Sequence, residues 1–218
     1  MVSRATAYRY FNSVEALLRE AMFERDHGGM LPVPEARVVV ADDGHVVDLA
    51  GRPLLCIDTP GHARHHYSVW DARSRSWFAG DTFGISYREF DDIGAAFIVP
   101  TTSPVQFDPD ELKTSIATLL ARQPEAIHIA HYGRVTDCDR LAQDLQVQVD
   151  AMVEAARAAD GHPDRHARLV RALTQLYVQR AQAQGMRDAP QRVEEILGGD
   201  IELNAQGLAI WLDRIKRQ

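Results

Sequence analysis

Three short apolar segments of this 218-residue chain each lead into a residue that can bind a metal. The segments are LLCIDTPG before His62, WFAG before Asp81 and AIHIA before His131. Short apolar runs bounded by Gly, Pro or Asp predict strands. A side chain placed directly after a strand is held by a rigid element and stays open to solvent. The pattern therefore predicts a sheet that carries a functional site along one edge.

Two imidazoles and a carboxylate form the ligand set of a catalytic zinc site. Zinc lowers the pKa of a bound water from about 15.7 to about 7, which permits hydrolysis at neutral pH. Each residue also has a simpler interpretation. A histidine after Pro-Gly can be a surface turn residue, and an aspartate after Gly can form a turn or a helix cap. His131 can be a half-buried structural histidine, so the single residues leave both interpretations open.

The remaining sequence predicts strands followed by helices. Short strands between residues 37 and 81 indicate a mostly antiparallel sheet layer. Asp108-Pro109-Asp110-Glu111 predicts a capped helix start. After Asp137, apolar periodicity predicts helices at about 139–159, 164–184, 189–197 and 201–216. We therefore expect an α/β (α+β) protein in three parts: a helical segment at 1–29, a half domain with the sheet at 30–137, and a helical extension at 138–218.

Composition narrows the class of protein. A formal net charge of -7 argues against a dedicated nucleic-acid binder. No run approaches the ~20 apolar residues of a membrane span, and the N-terminus lacks the apolar centre of a secretion signal. Cys56 and Cys138 are too few for a disulfide framework. We expect a cytoplasmic protein that acts on a small molecule, with neither nucleic acid nor membrane as its partner.

Together, the three motifs resemble the metallo-β-lactamase superfamily of hydrolases. LLCIDTPGHARHH is similar to that family's third metal motif, FAGDTFG to its fourth and HIAHYG to its fifth. The resemblance implies that His62 and His131 each bind one metal and that Asp81 bridges the two and takes part in catalysis. It implies one or two Zn²⁺ ions as cofactor, and an ester, thioester, lactone or phosphodiester as substrate. The fold it implies is half of an αββα sandwich over residues 30–213, which include PTTSPVQFDPDEL and DIELNAQGL.

Four further residues are expected around this site. His66 falls where many members of the family have a second histidine that is not a ligand, and we expect it to line the pocket. Asp58 is expected to orient the His62 ring and to set its tautomer. Thr82 and Tyr132 are expected to contact the substrate.

One part of the family pattern has no counterpart here. The second motif, His-x-His-x-Asp-His, supplies four metal ligands, yet the only histidines before His62 are the isolated His27 and His45. Either of these, or a partner chain, would have to complete the site. The half sandwich would also expose an apolar face for the N-terminal helices, the C-terminal helices or a homodimer partner to cover. An active zinc hydrolase and a non-catalytic remnant or interaction protein therefore both remain open.

The N-terminal segment VSRATAYRYFNSVEALLREAM resembles a different family, the TetR-type repressors. The resemblance is to the recognition helix and the start of the next helix, over residues 2–22. It implies DNA contacts from Ser3, Thr6, Tyr8 and Tyr10, and a third alternative, a DNA-binding regulator. The other interpretation is an amphipathic helix pair that docks on the exposed sheet face. A truncated or fused reading frame would account for this segment and for the missing second motif.

Overall fold

A single six-stranded sheet forms the centre of the protein, whose computed structural model describes residues 41–102, 106–131 and 133–217. The strands lie side by side in chain order, and all neighbours are antiparallel except the parallel pair β4–β5. The predicted mostly antiparallel sheet is therefore confirmed. The strands are β1 (Val46–Asp48), β2 (Pro53–Asp58), β3 (Tyr67–Asp71), β4 (Ser76–Gly80), β5 (Ala126–Ile129) and β6 (Gly133–Val135).

Helix α1 (Pro109–Leu120) lies in the connection between β4 and β5. Parallel neighbours need such a crossover, because the chain must return to the starting edge before the next strand. The helix begins where the sequence predicts. The Asp108 side chain accepts hydrogen bonds from the backbone N–H groups of Asp110 and Glu111, each at 3.2 Å. Pro109 occupies the first turn, where its missing N–H costs nothing.

One face of the sheet is apolar and buried. Strand register aligns Leu55, Trp70, Trp77, Ile127 and Val135 across β2 to β6. The two tryptophan rings have centroids 5.0 Å apart. Trp77 is fully buried, and its indole N–H donates to the carbonyl of Leu119 in α1 at 2.8 Å. Helix α1 therefore packs against this face of the sheet.

The opposite face of the sheet is more exposed. Phe78 is 47% exposed and stacks on His128, with ring centroids 4.7 Å apart. Tyr67, on the neighbouring β3, is also exposed. Burial beside Phe78 lowers the pKa of His128, and the positive charge of Arg134 lowers it further. His128 is thus a packed residue of this face and has no part in the strand-end site.

Three helices follow the sheet: α2 (Cys138–Ala159), α3 (Arg165–Ala183) and α4 (Ala189–Ile215). The first two match the predicted bounds to within a residue or so. The prediction of two helices at 189–197 and 201–216 is wrong, because α4 runs unbroken through Gly198-Gly199. Val193, Leu197, Ile201 and Leu208 are all buried at helical spacing, so tertiary packing outweighs the ~1 kcal/mol that each glycine costs. Among the described helices, none has a stretch long and apolar enough to cross a membrane.

Gly198→Ala and Gly199→Ala are expected to stabilise the protein by about 0.5–1 kcal/mol each. Both glycines are exposed and helical, and a Cβ built on either has no atom within 4 Å. Alanine would therefore reduce the entropy lost on folding without creating a clash. Urea denaturation monitored by circular dichroism measures the gain. A loss of stability in either variant would contradict this account of α4.

Candidate metal centre

Three strands point toward the edge that carries His62, Asp81 and His131. β2 and β4 are each antiparallel to β3, and β5 is parallel to β4, so β2, β4 and β5 all run in the same direction. Their carboxyl ends therefore meet at one edge of the sheet. The backbone N–H of Ala130 donates to the carbonyl of Gly80 at 3.1 Å, which extends the β4–β5 pairing up to the site.

The carboxylate of Asp81 lies between the two imidazoles. Its Oδ2 is 3.7 Å from Nε2 of His62, and its Oδ1 is 3.4 Å from Nε2 of His131. The Asp81 side chain is 7% exposed and that of His62 is 14% exposed, whereas that of His131 is 54% exposed. The site is therefore built on a buried carboxylate and opens to solvent on the His131 side.

The His62 ring is held by a backbone carbonyl. Its Nδ1 lies 3.0 Å from the carbonyl oxygen of Thr101. A carbonyl oxygen can only accept, so Nδ1 carries a proton, and Nε2, on the side of Asp81, is the ring nitrogen that would bind a metal. Metal-binding histidines commonly donate their other ring N–H in this way. The predicted partner, Asp58, is exposed at the end of β2 and does not take this role.

His66 supports the backbone of Asp81. Its Nε2 accepts the Asp81 backbone N–H at 3.0 Å, and its Nδ1 lies 2.9 Å from Oγ1 of Thr82. Gly80 permits this close packing, because a Cβ at that position would lie 2.6 Å from Nε2 of His66. Since the backbone N–H of Asp81 occupies its Nε2 lone pair, His66 supports Asp81 and does not present this nitrogen to a metal.

Thr82 belongs to the same group of hydrogen-bonded residues that supports Asp81. It is 1% exposed, and its hydroxyl donates to the carbonyl of Thr59 at 3.1 Å while facing His66. A substrate contact was expected from Thr82, but its side chain is enclosed among these polar groups. The Thr82–Thr59–His66 contacts join the loop after β2 to the loop after β4.

The loop before His62 packs against the start of α1. The backbone N–H of Asp108 donates to the carbonyl of Gly61 at 2.8 Å. The hydroxyl of Ser115 donates to the carbonyl of Pro60 at 2.7 Å. Gly61 has φ +120°, and a Cβ there would lie 2.1 Å from the backbone nitrogen of Leu112. The helix and the loop thus fit together only because residue 61 has no side chain.

One carboxylate near the site, that of Asp200 in α4, was not anticipated from any sequence pattern. Its Oδ2 accepts a hydrogen bond from the Tyr87 hydroxyl at 2.7 Å. Burial raises the pKa of Asp200, while the Tyr87 hydrogen bond and the charge of His131 oppose that rise. No local signal distinguishes Asp200 from the other acidic residues of the C-terminal helices, since only tertiary packing brings it to this edge.

The donor atoms of His62, Asp81 and His131 have nearly the spacing of metal ligands, but among the described residues they do not make a complete ligand set. Two atoms bound to one tetrahedral zinc at about 2.0–2.1 Å lie roughly 3.3 Å apart. The Asp81–His131 distance of 3.4 Å agrees with that spacing, and the Asp81–His62 distance of 3.7 Å is slightly longer. Within the described ranges, no three His, Cys, Asp or Glu side chains form a complete metal-binding group. Each ion would thus have two of these ligands and need at least one further donor.

Other expected residues lie elsewhere or outside the described part. Tyr132 is outside it, as are the DNA contacts predicted for Ser3, Thr6, Tyr8 and Tyr10 and the TetR-like segment that carries them. His27 also lies outside it. His45 is described and directly precedes β1.

Comparisons with known protein sequences point to one superfamily. The family model of the metallo-beta-lactamase superfamily matches residues 3–133, which is more than half of the chain. A metallo-beta-lactamase fold-containing protein of Sulfurisphaera tokodaii is 30% identical over 111 residues, or 50% of this chain and 39% of that protein. The chain therefore matches well under two thirds of this relative's length.

Solved structures of the same superfamily are also similar to this chain. A crystal structure of an archaeal metallo-beta-lactamase superfamily protein from Sulfolobus tokodaii gives a TM-score of 0.49 at 21% identity, over 93% of this chain and 67% of that one. A metallo-beta-lactamase family protein from Thermus thermophilus gives 0.47 at 18% identity, over 82% and 60%. From the family match and the motifs at the strand ends, we conclude that the chain belongs to the metallo-beta-lactamase superfamily.

Proposed function

We propose that this chain is a zinc-dependent hydrolase that acts on a small ester, thioester or lactone-like substrate. The observation that carries the proposal is the position of the Asp81 carboxylate, which presents one oxygen to Nε2 of His62 and the other to Nε2 of His131. A carboxylate shared between two imidazoles is suited to hold a pair of cations close together. Zinc, when bound, polarises the scissile carbonyl and lowers the pKa of water.

The protein's own residues support that chemistry. The Thr101 carbonyl accepts a hydrogen bond from Nδ1 of His62, so Nε2 is the ring nitrogen that would bind the metal. His66 holds the Asp81 backbone, which limits rotation of the carboxylate away from the site. The exposed side of His131 leaves room for a substrate to approach. These contacts preorganise the ligands before any cation arrives, which lowers the cost of binding it.

The electrostatics favour a small substrate. The net charge of -7 disfavours a phosphate-rich polymer, which a protein normally attracts with clustered Lys and Arg. Acyl compounds such as esters, thioesters and lactones need one carbonyl at the metal and no extended basic surface.

The test is hydrolysis by the metal-free and the zinc-loaded protein on a panel of chromogenic esters, thioesters and lactones. We expect turnover by the zinc-loaded protein, loss of turnover with a chelator and recovery when zinc is restored. His62→Ala should lower kcat/KM by at least about 100-fold. Loss of a residue that only supports a metal ligand costs about 10- to 100-fold, and loss of a ligand itself should cost no less. His162→Ala, which changes an exposed histidine, is the matched control. An inert zinc-loaded wild type, or equal rates in wild type and His62→Ala, would overturn the proposal.

A further inference from the structure

A buried polar cluster joins helix α4 to the chain segment that contacts His62. Its centre is the side chain of Asn204, which is 1% exposed. The Asn204 Oδ1 accepts the backbone N–H of Thr102 at 2.9 Å, and its Nδ2 donates to the carbonyl of Pro100 at 3.0 Å. The same Nδ2 lies 3.0 Å from the hydroxyl of Tyr177 in α3.

These partners allow only one orientation of the amide. A backbone N–H can only donate and a backbone carbonyl can only accept, so Oδ1 must face Thr102 and Nδ2 must face Pro100. Asn204 therefore holds the peptide groups on both sides of Thr101. A second buried amide, that of Gln148 in α2, donates to the carbonyl of Ile98 at 2.9 Å and holds the same segment upstream.

Thr101, which lies between the two residues bound by Asn204, contacts a candidate metal ligand. The carbonyl oxygen of Thr101 accepts from Nδ1 of His62 at 3.0 Å. We infer that Asn204 is a positioning residue of the candidate metal centre. It fixes the Thr101 carbonyl, which keeps a proton on Nδ1 of His62 and leaves the Nε2 lone pair to bind a metal. The inference rests on the proposed function for its metal, whereas the predicted tautomer of His62 can be measured in the metal-free protein.

A purely structural role for Asn204 makes a different prediction. An amide that only filled the core would affect stability without changing the His62 ring. Tyr177→Phe supplies the comparison, because it removes a buried polar partner of Asn204 and leaves the contacts with Pro100 and Thr102 intact. Asn204→Asp is nearly isosteric and keeps an acceptor for Thr102 while losing the donor to Pro100. Asn204→Ala removes both.

The experiment has two readouts on the full-length wild type and these three variants. The first is the His62 tautomer in the metal-free protein, from long-range ¹H–¹⁵N spectra at a pH well above the ordinary imidazole pKa, with the His62 signal assigned from His62→Ala. The second is zinc affinity by competition with a chromophoric chelator. Loss of an outer partner of a metal ligand weakens binding about 10- to 100-fold. We place Asn204→Ala near the lower end of that range because it acts through Thr101.

We expect wild type and Tyr177→Phe to show His62 with its proton on Nδ1 and the same zinc affinity. Asn204→Ala and Asn204→Asp should show mixed tautomers and weaker zinc binding. An Nε2-protonated His62 in the wild type would overturn the inference even if the Asn204 variants did not fold. So would folded Asn204 variants with wild-type tautomer and affinity. Absence of zinc binding by the wild type would instead count against the proposed function, while the tautomer readout still decides the role of Asn204.

Discussion

Asp81→Ala is expected to abolish metal binding, whereas His62→Ala and His131→Ala should each remove only part of it. The reason is geometric: Asp81 faces both imidazoles, so its loss would remove a ligand from each of two bound ions, whereas each histidine would serve only one of them. Two protein ligands per ion are already fewer than the usual three, so loss of the shared one leaves neither ion held. Metal content by mass spectrometry, after purification without chelators, should fall from about one or two zinc ions per chain to near zero.

The control for charge is Asp58→Ala. Asp58 is an exposed carboxylate at the end of β2, and its removal changes the net charge of the chain by the same amount as Asp81→Ala. We expect it to retain the full metal content. Circular dichroism should show that Asp81→Ala still folds, because the His66 contact is made to the backbone N–H of residue 81. Metal retained in Asp81→Ala, or lost equally in Asp58→Ala, would contradict the shared-carboxylate arrangement.

Gly61→Ala is expected to destabilise the protein by about 3–5 kcal/mol, among the larger effects of a single substitution. Two costs add. The positive φ disfavours any side chain by about 1–2 kcal/mol. The new Cβ would also lie 2.1 Å from the backbone nitrogen and 2.3 Å from the Cα of Leu112, and backbone atoms within α1 cannot move aside as a flexible side chain would. Either the helix start or the His62 loop must shift.

Gly185→Ala separates these two costs. Gly185 also has a positive φ, +96°, yet a Cβ there meets nothing within 4 Å. We therefore expect it to cost only about 1–2 kcal/mol, the conformational part alone. Urea denaturation of both variants gives the comparison, and Gly61→Ala should also bind zinc more weakly because its loop carries His62. Equal losses of stability in the two variants would show that the contact with α1 is not tight.

Elements with local signals could be predicted from the amino-acid sequence alone. Asp108 and Pro109 predicted the start of α1, because capping depends on the side chain and φ of the residues at the terminus. The motifs around His62, Asp81 and His131 predicted that these residues would meet, since each follows a strand and same-direction strands end at one edge. They also predicted the superfamily.

The way these ligands are held depends on long-range packing. Thr101, and not Asp58, contacts Nδ1 of His62. The contact uses a backbone carbonyl, which every residue has, so the residue type at position 101 could not predict it. Asn204 and Gly198-Gly199 lie on one unbroken helix because a buried stripe packs along its whole length, and the local sequence does not specify what that stripe packs against. Strand ends and helix caps are short-range features, whereas the orientation of the metal ligands depends on contacts between residues far apart in the chain.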